Sequence, residues 1–164
     1  MRREKTTAVE AAVSAGRMIK SCVAKVKSIR YKGAINNIVT DVDERAEAMI
    51  IRRLKSSFPG YGILAEESPA EDRGSCRWII DPLDGTTNFA HGFPFFAVSI
   101  ALEKEGEIML GVVYDPMHDE LFTAEQAKGA YLNKKRIQVS KVSDMGKAFL
   151  ATGFAYNFKE KREG

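Results

Sequence analysis

Four carboxylates fall at the ends of two short apolar runs: Glu66 and Glu67 after Tyr61–Ala65, Asp81 and Asp84 after Arg77–Ile80. A residue just past a strand lies at a sheet edge, where loops gather and clefts form. If the two strands lie side by side with like ends together, Glu66 meets Asp81 and Asp84. Carboxylates gathered without a lysine or arginine neighbour repel one another, so keeping them all ionised takes cations. Oxygen donors with no softer ligand favour Mg²⁺ over zinc or copper.

The segment Asp81-Pro82-Leu83-Asp84-Gly85-Thr86-Thr87-Asn88-Phe89 adds a second element of the chemistry. Pro82 fixes a turn after Asp81, and the three-residue offset lets one turn aim Asp81 and Asp84 at the same ions. Gly85 permits close backbone approach. Thr86 and Thr87 then begin a helical turn whose free N–H groups attract an anion such as phosphate. Carboxylates that hold a metal, beside a turn that holds phosphate, are the equipment for metal-assisted phosphate hydrolysis. Each residue alone has an ordinary explanation: a solvated strand end for Glu66 or Glu67, a turn for Asp84-Gly85, a helix cap for Asp43. Their combination is what points to a site.

Other chemistries lack their residues. The chain has no GxGxxG, Walker A, HExxH or GxSxG motif. Asp41 and Asp43 imitate the start of a calcium loop, but Ala46 and Arg52 stand where that loop needs glycine and glutamate. His91 and His118, the two histidines, lie in turn-like contexts that suit structure or solvent. Cys22 and Cys76 form no CxxC pair and read as free thiols of a reducing, cytoplasmic compartment.

These groups need a scaffold, and the sequence supplies one domain of it. The chain has 164 residues with 45% hydrophobic and 29% charged side chains, which excludes disorder and coiled coil. The net charge of +3, with both signs interspersed, gives no case for a nucleic-acid partner. No apolar run approaches a membrane span and the N-terminus lacks a signal-peptide core, so no membrane partner is expected.

The first 30 residues carry a helical pattern through Val9, Ala12, Val13, Gly16, Ile19, Val23 and Val26. Tyr31 to Ile38 reads as a turn or short hairpin. Thr40 and Asp43 have the capping-box spacing for a second helix with Ala46, Met49, Ile50 and Leu54 on one face, ending before Phe58-Pro59-Gly60. Strands are predicted over Tyr61–Ala65, Arg77–Ile80, Phe95–Leu102, Ile108–Tyr114, Leu121–Ala124, Ala130–Leu132 and Arg136–Val139. Glu105-Gly106-Glu107 is expected as a tight hairpin, with Gly129 and Asn133 at turns. Phe149–Thr152 reads as a further buried strand and Asn157–Gly164 as a polar tail. The class is α+β: two N-terminal helices on a mainly antiparallel sheet of five to seven strands. Residues 1–150 form the expected domain, and 151–164 a tail or the start of a further half.

Trp78–Leu102, WIIDPLDGTTNFAHGFPFFAVSIAL, closely resembles the first signature of the inositol monophosphatase family. Lys32, Asn37–Asp43, Gly62–Ser68, Gly111–Pro116 and Leu121–Ala124 resemble it too, in order and with similar spacing. The resemblance implies the N-terminal half of a layered αβαβα sugar-phosphatase fold within the lithium-sensitive superfamily. It implies that Glu66, Asp81 and the Leu83 carbonyl hold one Mg²⁺, and that Asp81 and Asp84 contribute to a second. The complete enzyme would hold about two or three such ions. Thr86, bonded to Asp43, would orient the attacking water, assisted by Glu66. Gly85 and Thr86 N–H groups would hold phosphate, with Asp84 alongside and Lys32 and Glu67 at the rim. The substrate would be a small phosphorylated polyol or sugar: inositol monophosphate, fructose 1,6-bisphosphate or, less fittingly, a nucleotide 3′-phosphate. A homodimer is the family habit. The chain departs from the family in one respect: its single tryptophan is Trp78, so the family's second Trp-Asp motif, whose aspartate completes the second metal site, is absent. A non-catalytic, partner-binding or regulatory module is therefore the alternative.

Overall fold

Helix α1 (Arg2–Cys22) turns small side chains inward: Ala8, Ala11, Ala12, Ala15 and Gly16 are buried together with Ile19. A computed structural model describes residues 1–23, 29–31 and 38–151 of the chain, with only the backbone at 29–31, 38 and 39. Val9 and Val13, expected on the buried face, are half-buried at its margin. The face is rotated because close approach, not side-chain size, decides what fits there. A Cβ on Gly16 would lie 2.5 Å from a ring carbon of Tyr114. Val23 leaves the helix with extended backbone, and Val26 lies outside the described residues.

Strands β1 (Ile29–Tyr31) and β2 (Ile38–Thr40) pair antiparallel, and the turn expected between them lies outside the described residues. Helix α2 (Asp41–Ser57) starts where the capping spacing predicts. Thr40 Oγ1 accepts from the Val42 N–H at 3.2 Å, and Asp43 Oδ2 accepts from the Thr40 N–H at 2.9 Å. Val42, Ala46, Ile50 and Leu54 are buried on its inner face, while Met49 is only half-buried.

The main sheet follows in the order β3 (Gly62–Ala65), β4 (Cys76–Asp84), β5 (Ala97–Lys104), β6 (Glu107–Asp115), β7 (Glu120–Glu125), β8 (Gly129–Leu132) and β9 (Lys135–Ile137). β3 and β4 are parallel and every other pair is antiparallel. Parallel neighbours need a crossover, and residues 66–75 supply it. They run back along β3, where Ile63 and Glu71 exchange two 2.7 Å backbone hydrogen bonds and blunt the sheet edge. Glu105 and Gly106, at φ 53° and 84°, give the two-residue β5–β6 hairpin the positive dihedrals that match strand twist. Asn133 and Lys134 do the same between β8 and β9 without a glycine.

Both helices cover one face of the sheet: α2 lies over β4 and α1 over β5 and β6. Alternate residues meet them, including Trp78 and Ile80 on β4, Val98 and Ile100 on β5, and Leu110 and Val112 on β6. Each fully buried aliphatic side chain contributes about 1.5–3 kcal/mol relative to exposure.

One strand expectation fails. Phe149 and Leu150 are 100% and 65% exposed, outside any strand, and Thr152 lies outside the described residues. An apolar run becomes a buried strand only beside a partner strand and under a covering layer. Residues 149 and 150 have neither among the described residues.

Candidate active site

The parallel pairing of β3 with β4 sets the carboxylates in place. Gly62 to Ala65 lie opposite Arg77 to Ile80, so the residue after each run, Glu66 and Asp81, comes out at the same end. The Asp81 carboxyl lies close enough to that of Glu66 to feel its charge. Burial first, then the charges of Glu66 and Asp84, push Asp81 up to about 7.

Beyond Asp81 the strand breaks its register against β5. Asp81 pairs with Ser99 and Asp84 with Ala97, so three steps on β4 answer two on β5. Pro82, which has no N–H to give a ladder, occupies this bulge. The Leu83 N–H donates to Asp81 Oδ1 at 3.1 Å, closing the turn that the Asp-Pro-Leu spacing predicts. Gly85 follows at φ 95°, and a Cβ there would sit 3.0 Å from the Phe95 carbonyl oxygen, so both backbone angle and space require glycine. Helix α3 (Thr86–Ala90) starts immediately.

Thr86 points from α3 to α2. Its Oγ1 lies 2.9 Å from Asp43 Oδ1 and 2.9 Å from the Leu83 carbonyl oxygen. Asp43 Oδ2 meanwhile holds Thr40 through its N–H at 2.9 Å and its hydroxyl at 2.5 Å. Asp43 therefore serves as helix cap and as partner of Thr86, one oxygen for each. Its carboxylate, 2% exposed, has three donors around it, which offsets the cost of burying it.

Glu66, Asp81, Leu83, Asp84, Gly85, Thr86 and Asp43 thus meet at the ends of β3 and β4. Leu83 is buried with its carbonyl turned toward Thr86, and Asp84 is exposed. Glu67 is half-buried beside them, its N–H bonded to Glu47. Lys32 lies outside the described residues. His118 pairs with Asp115 at 2.8 Å in the β6–β7 turn, and His91 is exposed just past α3. Next to Asp84 and Gly85 opens a pocket of about 410 Å³, walled by Asn88, Phe95, Asp115 and Phe122.

Among the described residues, no three His, Cys, Asp or Glu side chains close around one point as a complete metal cage. The donors that meet still fit a hard divalent cation: Glu66 and Asp84 both lie within electrostatic reach of Asp81, and no soft ligand stands among them.

Glu47 is the site residue that sequence reasoning misses. It stands one turn after Asp43 on α2, 2% exposed, and accepts hydrogen bonds from the Glu67 N–H and the Ser68 hydroxyl. Its signal was a glutamate among the inward positions Ala46 and Ile50 of an amphipathic helix.

The family model of the inositol monophosphatase family matches residues 1–164. The chain belongs to the inositol monophosphatase family. It is 46% identical over 156 residues to inositol monophosphatase 2 of Solanum lycopersicum, covering 92% of this chain and 58% of that protein. It is 46% identical over 161 residues to the Nus factor SuhB of Vibrio cholerae, covering 95% and 60%. The crystal structure of the extragenic suppressor protein SuhB from Bartonella henselae matches with a TM-score of 0.82 at 44% identity, over 85% of this chain and 54% of that one. The chain therefore spans somewhat more than half the length of these relatives. The α+β architecture is the one these family members share.

Proposed function

We propose that the chain carries the metal- and phosphate-binding part of a Mg²⁺-dependent phosphomonoesterase acting on a small polyol or sugar phosphate, with inositol monophosphate as the reference substrate. The observation that carries this is the Thr86–Asp43 hydrogen bond lying beside the Glu66–Asp81 pair. Glu66, Asp81, Asp84 and the Leu83 carbonyl would hold the Mg²⁺, which supplies charge to a phosphoryl oxygen and acidity to a water.

The residues do the positioning. The single proton of Thr86 Oγ1 has two acceptors on its inner side, Asp43 Oδ1 and the Leu83 oxygen. The outward side of that oxygen can then only accept, so a water there donates to Thr86 and turns a lone pair toward phosphorus. Asp43 holds the threonine in that role and is itself held by Thr40. Gly85 brings the chain close enough for its own N–H and that of Thr86 to face the phosphate. The pocket beside Asp84 would take the alcohol. The same reading makes the enzyme cytoplasmic and lithium-sensitive, with residues 1–150 as one domain.

A second reading has one observation in its favour. A relative at 46% identity carries the name Nus factor, which suits a partner-binding or regulatory module.

Hydrolysis separates the two. The chain extended by the C-terminal remainder of the tomato relative is expected to release phosphate from inositol monophosphate in a Mg²⁺-dependent reaction. The 164-residue chain alone is expected to be slower by about 100-fold or more, because part of the electrostatic stabilisation is lost. A folded extended chain without phosphate release favours the regulatory reading.

A further inference from the structure

Helix α2 brings a second carboxylate to the site, and no step above uses it. Glu47 follows Asp43 by four residues, so both point from one helix face toward the ends of β3 and β4. The two are equally buried, at 2% exposure. Asp43 reaches the turn after β4 through Thr86, and Glu47 reaches the loop after β3. Glu47 Oε2 accepts from the Glu67 N–H at 2.8 Å, and Oε1 accepts from the Ser68 hydroxyl.

The Glu67 N–H belongs to the peptide unit that joins Glu66 to Glu67. Fixing that plane fixes the backbone rotation of Glu66, and with it the direction in which the Glu66 side chain leaves β3. Glu66 is exposed and one residue beyond the last paired position of the strand, so the ladder with β4 does not hold it. A hydrophobic side chain at 47 would fill the core without the cost of burying a carboxylate. The retained carboxylate serves the two donors of the loop.

We infer that Glu47 is a positioning residue. Through the Glu66–Glu67 peptide and Ser68 it sets Glu66 against Asp81 in the geometry that accepts a divalent cation. This rests on the reading of Glu66 and Asp81 as metal ligands. Its role differs from theirs in acting through the loop after β3, by the Glu67 N–H and the Ser68 hydroxyl, without touching metal or substrate.

The test uses the 164-residue chain with Mn²⁺ as probe, titrated by calorimetry, and amide hydrogen exchange at Glu67. Glu47→Gln keeps the side-chain shape but turns one acceptor into a donor. Ser68→Ala removes one of the two bonds to Glu47 at an exposed position outside the core. Glu47→Gln is expected to weaken Mn²⁺ binding about tenfold, as loss of an outer support of a metal ligand does, and to speed Glu67 exchange. Ser68→Ala is expected to weaken binding by a smaller factor, with unchanged thermal midpoint. If Glu47→Gln fails to fold, Ser68→Ala decides alone. Unchanged Mn²⁺ affinity in the folded variants, with the parent chain binding Mn²⁺, overturns the role of Glu47 and leaves the metal site standing. A parent chain that does not bind Mn²⁺ overturns both.

Discussion

Replacing Thr86 by alanine in the extended, active chain is expected to lower kcat by about 100-fold or more while KM stays within a small factor. The hydroxyl acts on the water, whereas the N–H of residue 86 remains available to phosphate, so binding survives the loss. The scaffold survives as well. Asp43 keeps its bonds to the Thr40 N–H and hydroxyl, and α2 keeps its cap. Thr86→Ser should restore most of the turnover, since it returns an oxygen with the same two inner acceptors. Steady-state kinetics on inositol monophosphate at saturating Mg²⁺ measures both numbers. A rise in KM with kcat unchanged would instead make Thr86 a phosphate contact.

Asp81 gives the second large effect, in the dependence of stability on pH. Its carboxyl is pushed from 3.8 up to about 7 in the folded chain, by burial and then by Glu66 and Asp84. A group raised on folding stabilises below its unfolded value and loses that contribution as pH rises through the folded one. The metal-free chain is therefore expected to lose stability as pH rises from about 4, most steeply midway between 3.8 and about 7, and to level off above that. Asp81 is only part-buried, and solvent screening reduces the effect to about 1–2 kcal/mol. Asp81→Asn removes the slope, because the amide does not ionise. Divalent cation at pH 8 should return the lost stability in the parent chain and leave Asp81→Asn unmoved. Urea denaturation at several pH values, with and without Mg²⁺, reads all of this. A parent chain equally stable at pH 5 and pH 8 would contradict the placement of Asp81 among carboxylates.

Much of this geometry is legible in the sequence because it is local. Thr40 and Asp43 announce the start of α2 by spacing alone, and the Asp-Pro-Leu-Asp-Gly order dictates a turn. The meeting of Glu66 with Asp81 needs one long-range assumption, that the two apolar runs lie parallel, and they do. What escaped the sequence depends on packing. The periodicity places Ala12, Gly16 and Ile19 on the inner face of α1, where they are buried, but Val9 and Val13 lie at its margin, because the ring of Tyr114 against Gly16 favours the alanine side. A glutamate reads as solvated until a loop from elsewhere in the chain brings donors to it, which is the case of Glu47. Phe149 and Leu150 show the converse: apolar residues stay exposed where no layer covers them.

The account depends most directly on Glu66 and Asp81 sharing a divalent cation. Calorimetric titration of Mn²⁺ into the 164-residue chain, alongside Glu66→Gln and Asp81→Asn, measures this. The expected result is weak binding by the parent and a loss of about tenfold or more in each variant, since each removes a charged ligand. Equal affinity in all three proteins would contradict the site.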